Sequence, residues 1–149
     1  MLKLKKYLWI IISLAVLLSA LLWVFFPRSI DSLLIDEKSE LSAVAVSVTD
    51  SFGDGKTTEY YLSGEELEEF RSLAKKSFVF LNPVKKKWVN STGMDKSIGI
   101  FPEYENRNRD DDVPPYCSIF TNKIITVENK QYYMYGEKFL NGIYEIIGK

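Results

Sequence analysis

No histidine occurs in the 149 residues, and there is one cysteine, Cys117. The first absence removes the side chain that most often serves as general base near neutral pH. The second leaves no internal disulfide, so any folded domain is held by packing alone. An exported domain built that way fits a bacterial envelope without a disulfide-forming compartment. Basic charge is also short. Beyond residue 28 the chain holds 15 basic and 20 acidic residues, a net of −5. Nucleic-acid binding needs a basic footprint, and that balance excludes it.

Charge of either sign is missing altogether from Tyr7 to Phe26, 20 residues of which 13 are Leu, Ile, Val or Phe. As a helix rising about 1.5 Å per residue, the stretch spans roughly 30 Å, the hydrocarbon thickness of a bilayer. Tyr7 and Trp9 at one end and Trp23 at the other are expected at the membrane interface. Ser13 and Ser19 are expected to return their hydroxyls to backbone carbonyls one turn back. Lys3, Lys5 and Lys6 before the span outnumber Arg28 and Lys38 after it, which predicts a cytoplasmic N-terminus and an exported C-terminal part. The run exceeds a cleavable h-region, and Leu18-Ser19-Ala20 is a poor cleavage site. An uncleaved single-pass signal anchor in the cell membrane is the expectation.

The division that follows is 1–28 as cytoplasmic tip and anchor, 29–42 as juxtamembrane linker, and 43–149 as an extracytoplasmic α+β domain. Val44, Val46 and Val48 alternate with Ala45, Ser47 and Thr49, the period of a half-buried strand. Glycines and aspartates then make a loop, and Thr57 to Leu62 returns as a hairpin partner. Ser63 and Glu66 have capping-box spacing, and Leu67, Phe70 and Ala74 line one face of the helix they introduce. Phe78–Leu81, Ser97–Phe101, Tyr116–Phe120, Ile124–Val127 and Gln131–Tyr135 read as strands, and Lys87–Val89 as a weaker one. Phe139, Leu140, Ile143, Ile146 and Ile147 have helical spacing, interrupted by Asn141-Gly142. The predicted fold is an antiparallel sheet with one or two helices packed on one face.

Catalytic patterns fail on context. Ser72-Leu73-Ala74-Lys75 matches S-x-x-K, but its partner motifs S-D-N and K-T-G are absent. Cys117 has no histidine to activate it and alternates with Ile119 onto a buried face. The loop from Glu103 to Asp112 spaces Asn106, Asn108, Asp110 and Asp112 like calcium ligands, yet lacks the glycine and the final glutamate of an EF-hand. No cofactor and no metal is expected. Lys85, Lys86, Lys87 and Trp88 form a basic-aromatic cluster, and Tyr132 and Tyr133 an aromatic pair; these six are the candidate surface contacts. The expected function is a non-catalytic interaction module that binds a protein, peptide or envelope component. The alternative is a small tethered enzyme using carboxylates. A deep cleft with two facing carboxylates favours the enzyme, and a shallow surface with an exposed aromatic patch favours the binder.

Overall fold

The computed structural model describes residues 2–35, 40–50, 55–82, 96–105, 116–121 and 124–149. In chain order these form α1 (Leu2–Phe25), β1 (Arg28–Ser29), α2 (Ile30–Leu34), β2 (Leu41–Asp50), β3 (Thr57–Leu62) and α3 (Glu65–Lys76). There follow β4 (Phe78–Leu81), β5 (Lys96–Tyr104), β6 (Cys117–Thr121), β7 (Ile124–Val127), β8 (Lys130–Met134) and α4 (Lys138–Ile147). The architecture is α+β. Its eight strands make one antiparallel sheet in the order β1-β4-β8-β7-β6-β5-β2-β3. The β2–β3 hairpin and the β5 to β8 meander meet where β2 pairs β5. β4 follows α3 across to the opposite side and pairs β8.

Alternation decides what each strand buries. Val44, Val46 and Val48 of β2, Ile98 and Ile100 of β5, Cys117 and Ile119 of β6 and Ile125 and Val127 of β7 are all buried. Register brings these rows together: Val46 opposes Ile100, Ile98 opposes Ile119, and Ile119 opposes Ile125. A register shift between Leu41 and Ala43 breaks the period at the start of β2. There the Ser42 hydroxyl donates to the Glu103 carbonyl at 3.1 Å, and Leu41 still packs on the core. At the β7–β8 turn both Glu128 and Asn129 have positive φ, 47° and 64°. That left-handed pair gives the turn the twist a two-residue hairpin needs.

The helices α2, α3 and α4 cover the Val/Ile face. α3 sends Leu67, Phe70 and Ala74 into the core, and α4 sends Phe139, Leu140, Ile143 and Ile146. Phe70 meets Phe139 at 6.1 Å between ring centroids. The expected capping box is not formed. Gly64, at φ 57°, occupies the cap position of α3, leaving Ser63 one place outside with no side-chain bond to the helix start. Asn141-Gly142 does not interrupt α4 either. A Cβ on Gly142 would lie 2.6 Å from Leu73 Cδ2, so the missing side chain is what lets α3 and α4 approach.

Of the stretch expected to be linker, residues 29–35 and 41–42 enter the fold. Arg28 and Ser29 pair with Val79 and Phe78, and Ile30 and Leu34 are buried at 1% and 0% exposure. Only Phe26 and Pro27 separate this edge strand from α1. In α1 the Ser19 hydroxyl donates to the Ala15 carbonyl at 2.8 Å, the expected bond one turn back. Among the described residues no helix is long and apolar enough to cross a membrane.

Candidate functional site

The sheet has a second face, and none of α2, α3 and α4 packs there. Among the described residues outside 7–26, the exposed large apolar ones are Tyr61, Phe78, Phe101, Tyr116, Tyr133 and Tyr135. All six lie on or beside strands, in positions alternate to the buried row. Water-facing aromatics scattered singly need no explanation, but six on one side of one sheet call for one.

The part of this face around β2 has a definite relief. Ala45 is flanked by Tyr61 of β3 and by Phe101 of β5. Neighbouring strands lie about 4.8 Å apart, so the two aromatic residues leave the backbone about 10 Å apart with a methyl group between them. Ala43, Ala45 and Ser47 make the floor of this trough. Phe101 leans back along its own strand: a Cβ on Gly99 would sit 2.8 Å from its Cε2. Glycine there leaves room for the ring to lie on the sheet, where it stacks on Tyr116 at 6.2 Å and 15°.

Two carboxylates border the trough. Glu59 opposes Ser47, and Glu103 opposes Ala43. The Tyr61 hydroxyl donates to Glu59 Oε2 at 3.3 Å. Negative charge at Glu59, that hydrogen bond and the field of Glu103 together push the Tyr61 phenol above its ordinary value of about 10. The alternate residues that form this face of the described strands include no lysine or arginine.

On the covered side an open hollow of about 210 Å³ lies past the helices, lined by Val48, Asp50, Lys56, Thr58, Tyr60 and Lys96. It contains a single carboxylate. Cys117 is fully buried, and burial pushes its thiol far up, which suppresses the thiolate a nucleophile needs. On α3, Ser72 is half-buried and Lys75 exposed. Among the described residues no group of three His, Cys, Asp or Glu side chains is placed to hold a metal ion.

The sequence-predicted contacts divide. Tyr133 lies on the open face at 41% exposure, whereas Tyr132 is a core residue at 2%. Tyr132 is corrected from surface to core because it opposes Ile125 and Leu81, both in positions that face the helices. Lys85, Lys86, Lys87, Trp88 and the strand expected at 87–89 lie outside the described residues, as do Asn106, Asn108, Asp110 and Asp112. Tyr7 and Trp9 project from α1, exposed at 65% and 69%; the Trp23 side chain is outside the described set. Sequence reasoning missed Tyr61, Phe101 and Tyr116 as one group. Alternation carried half the signal, but the register that joins four strands did not show. No protein-family model, curated protein or solved structure matches this chain.

Proposed function

We propose that this chain is a single-pass, membrane-anchored module with its domain outside the cytoplasm, and that it acts by binding rather than catalysis. The partner is a protein, peptide or envelope component docked on the open face of the sheet. The observation that carries the reading is that, among the described residues of the domain, all six exposed aromatic residues lie on the face that α2, α3 and α4 leave open. A face that only meets water has no use for such a concentration, since each ring left wet forgoes burial worth about 1.5–3 kcal/mol.

The anchor rests on the charge-free stretch from Tyr7 to Phe26 and on α1 itself, whose side chains from Tyr7 to Leu22 are all exposed. An uncovered apolar helix of that kind needs lipid or another apolar cover. Lys3, Lys5 and Lys6 support the N-terminus-inside orientation. Aromatic rings on a shallow surface, with no deep cleft between facing carboxylates among the described residues, favour binding over acid-base chemistry.

The test is a photo-crosslinking amino acid placed in the full chain in its native membrane, at Tyr61 or Tyr133 on one face and at Glu68 or Glu145 on the other. The expected result is one discrete, identifiable adduct from the open-face positions and none from the helix-face positions. Equal adducts from both faces would remove the open face as the site. Release of the chain by carbonate, or full protection of the domain from protease outside spheroplasts, would remove the tethering or its orientation.

A further inference from the structure

The trough over β2 has a definite chemistry, and that chemistry narrows the partner. Its floor is Ala43, Ala45 and Ser47; Tyr61 and Glu59 border it on β3, and Glu103 and the flat-lying Phe101 ring border it on β5. Beyond residue 28 the chain carries 15 basic residues, yet no described open-face position holds one. Both carboxylates act on the Tyr61 phenol in the same sense, so their fields overlap in the trough.

Three kinds of occupant compete. Anionic lipid headgroups, nucleic acid or an anionic polymer would meet Glu59 and Glu103 as like charges. A second copy docking face to face about a two-fold axis would bring the same two carboxylates against their own images, again unfavourably. A cationic side chain meets attraction from both glutamates and from the ring faces, which present negative charge to a cation.

Building on the open-face reading, we infer that this trough takes a lysine or arginine side chain carried by an extended segment of a partner polypeptide. The aliphatic stem lies against Ala45 between Tyr61 and Phe101, and the charged head reaches Glu59 or Glu103. Long cationic side chains suit such a slot because their stems are apolar and their heads stay wet.

The test uses the full chain in nanodiscs of zwitterionic phosphatidylcholine, so that lipid does not compete for charge. The probes are two fluorescein-labelled peptides, one alternating lysine and serine, the other alternating glutamate and serine. Anisotropy at low salt is expected to show binding of the lysine peptide only. The Glu59→Gln/Glu103→Gln double variant is expected to weaken it about fivefold, and Tyr61→Ala about threefold. The control Glu65→Gln/Glu145→Gln removes the same charge from the helix side and is expected to change binding by less than about twofold. Near-ultraviolet circular dichroism verifies that each variant is folded. Equal loss in the two double variants, or equal binding of both peptides, overturns the inference. Absence of lysine-peptide binding overturns it too; a discrete crosslink from Tyr61 would then leave the open face as a docking site with a different partner chemistry.

Discussion

The two faces of the sheet are built from the same strands and share every register, yet they hold opposite chemistries. On β2 the inward positions are Val44, Val46 and Val48, and the outward ones Ala43, Ala45, Ser47 and Thr49. On β5, Ile98 and Ile100 go in while Gly99 and Phe101 face out. The covered face uses branched aliphatic residues of similar size, which interlock with α3 and α4. The open face mixes very small residues with large aromatics, which makes relief instead of a packed layer. The difference teaches what each face is for: one excludes water by uniform filling, and the other keeps a shape that a partner fills.

The comparison breaks most directly on stability. Phe70 is fully buried under α3, and Phe70→Ala is expected to lower stability by about 3–5 kcal/mol in denaturant titration of the detergent-solubilised chain. Tyr61→Ala, at 61% exposure, is expected to stay within about 0.5–1 kcal/mol of the parent. Comparable losses would mean that the open face is structural.

Next in size is the helix layer. Gly142→Val puts a side chain where Leu73 already lies and is expected to cost about 1–3 kcal/mol, read as a lower midpoint. An unchanged midpoint would mean that α4 shifts off α3 without loss.

A smaller effect separates shape from stability on the open face. Gly99→Ala meets first the Ser47 hydroxyl and the far edge of the Phe101 ring. The ring is expected to swing off the sheet at a stability change under about 1 kcal/mol, with loss of the ring-current shift that Phe101 and Tyr116 exert on each other. A large destabilisation would count against a free, adaptable face.

The finest probe is titration of Tyr61. Its neutral form is favoured by the Glu59 carboxylate, so its deprotonation is displaced to higher pH. Glu59→Gln removes the charge, and the Tyr61 midpoint is expected to fall towards about 10. A midpoint unmoved by that substitution would mean that Glu59 does not act on the ring.

What the sequence reveals follows the same division. The covered face was legible because burial imposes a period: the Val44-Val46-Val48 alternation and the Leu67, Phe70 and Ala74 spacing correspond to buried residues. β1 was not legible, since two residues carry no period and their partner Val79 lies far along the chain. The full length of β5 was hidden by Pro102. That residue fits because β6 begins opposite Ile100, so among the described pairs β5 there pairs only β2. The α4 helix looked broken at Gly142 because the close approach of Leu73 is a tertiary fact. The open-face site was half legible. Alternation separates Tyr132 from Tyr133, but it takes the neighbours β4 and β7 to assign one to the core. The Tyr61, Phe101 and Tyr116 group needs the register of four strands.

The central claim, that the open face is the occupied face, is tested most directly by oxidative footprinting. Hydroxyl radicals would label the chain once in its native membrane and once purified in detergent, with modification read residue by residue. Occupancy predicts that Tyr61, Phe101, Tyr116 and Tyr133 are protected in the membrane and labelled after purification, while Leu73 and Tyr144 in the helix layer label alike in both. Equal labelling of the four open-face residues in the two states, or protection confined to the helix layer, would contradict the account.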